Sequence, residues 1–131
     1  MSNKSELVKI FESAAREAGK LIKKEFGKVT ESKVQSKDLG DFVTNTDLET
    51  ENILLNILKK YFPNSSYLTE ESDPFKGNDE TIVIDPIDGT SNFIHGIPSI
   101  GIVIAKVHKE EITDGIIFNP VSDELFFATK D

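Results

Sequence analysis

The sequence predicts an α+β fold in which two N-terminal helices pack on a mainly antiparallel sheet. Two observations carry that prediction. Apolar residues recur at helical spacing in the first sixty positions, and from Thr81 onward they come in short runs separated by turn residues.

The first helix is set by Leu7, Ile10, Phe11, Ala14, Ala18, Leu21 and Ile22, which fall on one face. Ser2, Asn3 and Ser5 are its candidate caps, and Gly27 after Phe26 its terminator. Residues 28–40 are polar, with Val29, Val34 and Leu39 as their apolar members, and read as a weakly held hairpin or loop. Thr46-Asp47-Leu48-Glu49 has the form of a capping box and places a second helix from there to about Tyr61. Leu54, Ile57, Leu58 and Tyr61 form its apolar face, and Pro63-Asn64 ends it. Strands are expected at 66–69, 81–84, 100–107, 115–118 and 124–128, with a charged turn at Lys109-Glu110-Glu111 and a second turn at Asn119-Pro120. Residues 72–80 are a loop by composition. The meander stops on an apolar strand, so a covering layer is expected to be missing over Ile116, Ile117, Phe118, Leu125, Phe126 and Phe127.

At 131 residues the chain is the size of one domain with a real core. Its 23 acidic and 15 basic residues give a formal charge of −8, which argues against a nucleic-acid surface. Cysteine is absent, which excludes disulfides, thiol catalysis and thiolate zinc sites. There is neither an apolar signal core at the N-terminus nor a run of about 20 apolar residues, so no membrane association and a cytoplasmic location are expected.

The chemistry concentrates in DPIDGTSNF, Asp85 to Phe93, which follows the apolar run Thr81–Ile84. Two carboxylates at the end of a rigid strand present the hard oxygen donors that Mg²⁺ favours. Asp85 can bridge two ions, Asp88 can reach the second, and Glu70 can approach from a neighbouring strand end, with Glu71 as a possible further donor. Pro86 fixes the backbone between the aspartates. Gly89 permits close approach to a phosphate, and the N–H groups of Gly89, Thr90 and Ser91 can open a short helix towards the anion. Thr90 can pass a hydrogen bond from an attacking water to a carboxylate, for which Asp47 is the candidate. Lys37 is a possible steering cation for anions. Taken singly, Asp47 reads first as a first-turn acid favoured by the helix dipole, and Glu70-Glu71 by default as a solvated pair; the catalytic reading comes from their combination with DPIDGT.

DFVTNTD (41–47), EES (70–72) and DPIDGTSNF (85–93) resemble, in order and spacing, the N-terminal signatures of the inositol monophosphatase family. The resemblance implies a layered α/β sandwich and lithium-sensitive, Mg²⁺-dependent hydrolysis of a small-molecule phosphate monoester. A homodimer is implied for the full-length enzyme. It implies that Glu70, Asp85 and the Ile87 carbonyl hold one metal ion, and that Asp85 and Asp88 hold a second. Thr90 and Asp47 would activate water, with the Gly89 and Thr90 amides on the phosphate. Thr69 stands where a glycine usually precedes the Glu pair. Family members run to about twice this length, so residues 1–131 resemble their N-terminal, metal-binding domain, with the C-terminal domain absent. Inositol 1-phosphate is the expected substrate. The enzyme alternatives are histidinol-phosphatase, fructose-1,6-bisphosphatase and 3′-phosphoadenosine-5′-phosphate phosphatase. The non-enzyme alternative is an inactive metal- or partner-binding remnant.

Overall fold

The computed structural model describes residues 4–28, 36–69 and 76–130, with the side chains of 36–44 left out. Helix α1 (Glu6–Glu25) is followed by α2 (Ser36–Tyr61), β1 (Ser66–Thr69), β2 (Glu80–Asp88), the one-turn helix α3 (Thr90–Ile94), β3 (Gly101–His108), β4 (Glu111–Asn119) and β5 (Glu124–Thr129). The five strands lie side by side in chain order. β1 and β2 are parallel and every other pair is antiparallel. The expected α+β class and its two helices on a mainly antiparallel sheet are therefore observed.

α1 starts where its cap is. The Ser5 hydroxyl accepts from the Val8 N–H at 3.1 Å. The helix ends at Phe26, whose N–H donates to Ile22 O, before Gly27 at φ +85°. Its apolar stripe is buried through Val8, Phe11, Ala14, Ala15, Ala18 and Ile22. Arg16 fastens α1 to the sheet. Its guanidinium donates to Glu12 at 2.8 Å and to Asp123 at 2.7 Å, and lies 4.8 Å from the Phe118 ring. The Lys4 hydrogen bond, aided by Arg16, holds the Glu12 carboxyl below its ordinary range.

α2 corrects the sequence reading. Ser36 to Gly40, expected in a loop, are helical, and Thr46 sits inside the helix rather than capping it. A capping box is a local signal, whereas a helix continues wherever its backbone bonds can propagate. Leu39, Phe42 and Val43 already carried i, i+3, i+4 spacing. The remainder of the segment read as a loop, residues 29–35, lies outside the described residues.

The helices cover one sheet face. Ile82 and Ile84 of β2, Ile102 and Ile104 of β3, and Ile116 and Phe118 of β4 are buried with α1 and with Leu54 and Leu58 of α2. Leu125 and Phe127 of β5 are packed at the margin of this core. The expectation of six uncovered residues on β4 and β5 thus holds for two of them, because the strand period of two turns the other four to the helix side. Ile117 and Phe126 point to the other face, where they are 48% and 60% exposed. The β3–β4 hairpin closes on Lys109 and Glu110 at φ +50° and +67°, the left-handed pair that a two-residue turn requires. At the next turn the Asn119 carboxamide oxygen accepts from the Val121 and Ser122 N–H groups.

Ile104→Ala should cost about 2–5 kcal/mol, because it empties a fully buried site, while Ile112→Ala, on a residue 66% exposed, should cost well under about 1 kcal/mol. Urea unfolding checks both. A second test uses Tyr67, whose hydroxyl donates to Phe62 O at 2.8 Å. Burial pushes its pKa up to about 12 from 10.0. The folded state holds this proton more tightly than the unfolded one, so the contribution is complete below pH 10 and is lost as pH rises through about 12. Tyr67→Phe should flatten that alkaline loss of stability.

Candidate active site

β2 does not end at Ile84 as the sequence suggested; it continues through Asp85-Pro86-Ile87-Asp88. Asp85 pairs with Val103 and Asp88 with Gly101, so three residue steps on β2 face two on β3. That is a β-bulge, and Pro86 explains its place. A proline in an inner strand has no N–H for the ladder, so the pairing yields there. Ile87 stays buried at 2% exposure, Asp85 is half-buried and Asp88 is exposed. The bulge therefore carries the chain from an apolar strand to an acidic tip within four residues.

The turn beyond is held by its own bonds. Gly89 has φ +93°, and a Cβ there would lie 2.9 Å from the Ser99 carbonyl oxygen. Glycine is required at this position before any ligand is considered. The Thr90 hydroxyl donates to the Ile87 carbonyl at 3.3 Å, a bond the sequence did not foretell. The carbonyl keeps a second lone pair for another partner. The Phe93 N–H donates to Gly89 O at 2.9 Å, and the Phe93 ring is buried 6.3 Å from that of Phe26. Asn92 ties the turn to Ser99 O at 2.7 Å. His95 Nδ1 lies 2.7 Å from Ser91 O.

Asp47 lies on α2 and is 6% exposed. β1 runs parallel to β2 and pairs Thr69 with Ile84, so it delivers the chain beside the residue that precedes Asp85. Glu70 and Glu71 lie outside the described residues, as does the side chain of Lys37. Among the described residues, no three His, Asp or Glu side chains form a group able to enclose a metal ion.

Two residues on the same helix escaped the sequence reading. Thr50 and Glu51, three and four positions after Asp47, are fully buried. Their i+3 and i+4 spacing from Asp47 was the signal. α2 thus buries a polar half around 46–51 and an apolar half at Leu54 and Leu58.

The sequence profile of the inositol monophosphatase family matches residues 3–131. The chain belongs to the inositol monophosphatase family. It is 40% identical over 120 residues to the inositol-1-monophosphatase of Caulobacter vibrioides, an overlap covering 89% of this chain and 47% of the relative. It is 37% identical over 119 residues to the Nus factor SuhB of Escherichia coli, covering 89% of this chain and 45% of that protein. In three dimensions it matches the crystal structure of the extragenic suppressor protein SuhB from Bartonella henselae. The TM-score is 0.82 at 34% identity, over 96% of this chain and 49% of the other. The chain spans about half the length of these inositol monophosphatase family relatives.

Gly89→Ala should destabilise the protein by about 1–3 kcal/mol, from the positive φ and the close Ser99 oxygen together. Thermal unfolding measures the effect, and an unchanged midpoint would show that the turn has room to relax.

Proposed function

We propose that this chain carries the cation-binding half of a Mg²⁺-dependent phosphomonoesterase acting on inositol 1-phosphate. The observation that carries the reading is the bulged end of β2, which sets Asp85, the Ile87 carbonyl and Asp88 at one strand terminus directly before the Gly89–Thr90 turn. The similarity to an inositol-1-monophosphatase supports the substrate.

The donor set fits magnesium in its chemistry. Carboxylate and carbonyl oxygens are the hard ligands that Mg²⁺ takes, and the chain has no thiol to favour a softer ion. Asp85 and the Ile87 carbonyl would hold one ion with Glu70, and Asp85 with Asp88 a second, with Glu71 as a possible outer partner. Bound divalent cations supply the positive charge that an anionic ester needs before another oxygen can attack it. The protein's part is orientation. The Thr90 hydroxyl would hold a water in line, and Asp47, little exposed on α2, would take its proton. The Gly89 and Thr90 amides would receive the phosphate oxygens, and Lys37 would draw the anion in.

A partner-binding role is the second reading, favoured by the similarity to a protein named Nus factor SuhB. Phosphate release separates the two readings. The chain should release phosphate from inositol 1-phosphate faster than from histidinol phosphate, fructose 1,6-bisphosphate or 3′-phosphoadenosine 5′-phosphate. Chelation of the cation should abolish that release. The rate should lie at least about 100-fold below that of a relative of twice the length. Release that is independent of cation, or equal across the panel, would sink the proposal.

In a family member of full length, the substitution equivalent to Thr90→Ala should lower kcat by about 100-fold or more and change KM little. A rise in KM at constant kcat would contradict the role given to the hydroxyl.

A further inference from the structure

Two neighbouring carbonyls between α3 and β3 are held by side chains from different parts of the chain. The Asn92 carboxamide, on α3, donates to Ser99 O at 2.7 Å. The Asn119 carboxamide, at the β4–β5 turn, donates to Pro98 O at 2.7 Å. A carbonyl only accepts, so each carboxamide presents its nitrogen to this segment. Asn119 is fixed a second time, because its Oδ1 accepts from the Val121 and Ser122 N–H groups at 3.0 and 3.2 Å. Pro98 and Ser99 are exposed, and among the described residues no other hydrogen bond holds either of them.

This segment is the wall behind Gly89. The Ser99 oxygen and the Ile100 Cα lie 2.9 and 3.5 Å from where a Gly89 Cβ would stand. Two residues on from Ser99, Gly101 pairs with Asp88 itself. Glycine takes positive and negative φ about equally, so nothing in Gly89 itself keeps it at +93°. Its carbonyl is held by the Phe93 N–H at 2.9 Å, and its Cα rests against Ser99. Gly89 stands between Asp88 and Thr90, so its backbone angles set how the carboxylate and the hydroxyl are aimed relative to each other.

We propose that Asn92 and Asn119 are positioning residues of the candidate active site. Each fixes one carbonyl of the Pro98–Ser99 segment, and the fixed segment keeps Gly89 in the conformation that aims Asp88 at a cation and Thr90 at a water. Neither asparagine touches a reacting atom. Asn119 brings the β4–β5 turn into the support of a site that lies at the end of β2. The proposal rests on the roles given above to Asp88 and Thr90 and adds the residues that hold them in place.

Mn²⁺ binding to the 131-residue chain, followed by water-proton relaxation, tests it. Asn92→Ala deletes the bond to Ser99. Asn119→Asp keeps an oxygen for the Val121 and Ser122 N–H groups and loses the donor to Pro98. Its added negative charge would by itself favour a cation, so weaker binding can come only from the lost bond. Each substitution should weaken Mn²⁺ binding about 3- to 10-fold, the net worth of one hydrogen bond, with circular dichroism unchanged. Together they should weaken it by less than the product of the two, because both act through one segment. A purely structural role would lower the unfolding midpoint and leave Mn²⁺ affinity as it was, which would overturn the proposal. So would two losses that multiply in full. Asp85→Asn is the reference. If it weakens binding while both asparagine variants match the wild type, the positioning role falls alone; if it leaves binding unchanged, the cation site falls and the positioning role with it.

Discussion

The structure depends on β2 satisfying two opposed demands along nine residues. Its first half must be apolar enough to hold the helix layer, and its last residues must bring charge to the surface. Ile82, Ile84 and Ile87 are each no more than 2% exposed. Burying each is worth about 1.5–3 kcal/mol relative to exposure. That anchorage permits an irregular, acidic continuation. The bulge at Pro86 resolves the conflict, since a proline leaves the ladder without orphaning a donor and lets Asp88 emerge while Ile87 stays in. The Gly89 turn and the buried Phe93 then fix the direction in which the chain leaves.

α2 makes a similar transition in the opposite direction. Its apolar half packs on the core at Leu54 and Leu58, and its other half buries the polar residues Thr46, Asp47, Thr50 and Glu51. A fully buried carboxylate such as Glu51 is costly unless it is compensated.

Much of this was legible in the sequence because the signals were periodic. The α1 stripe, its Ser5 cap and the number and order of the five strands follow from spacing and turn residues alone, although β4 starts at Glu111, four residues before the expected Gly115. Three features did not follow. The start of α2 was hidden by a strong local capping box at Thr46-Glu49, and local hydrogen-bonding preferences cannot report a helix already in progress. The extension of β2 through Asp85–Asp88 was hidden because a proline and two charges read as a turn, although one extra residue in a bulge accommodates them. The division of β4 and β5 into covered and open faces needed the register, which alternation in a single strand does not supply. At the candidate site, the types of donor were readable from DPIDGT. The reasons for Pro86 and Gly89 were not, because they lie in the ladder and in the Ser99 carbonyl.

The central claim is that the acidic end of β2 is a site for a hard divalent cation. Mn²⁺ standing in for Mg²⁺, followed by water-proton relaxation on the chain and on Asp85→Asn, tests it most directly. Asp85 and Asp88 stand three positions apart at one strand end, and a cation relieves the repulsion of like charges, so removing the Asp85 charge should weaken binding at least about 10-fold with the fold intact. Mg²⁺ should displace the bound Mn²⁺. Equal Mn²⁺ binding by both proteins would contradict the account and place any cation elsewhere on this acidic chain.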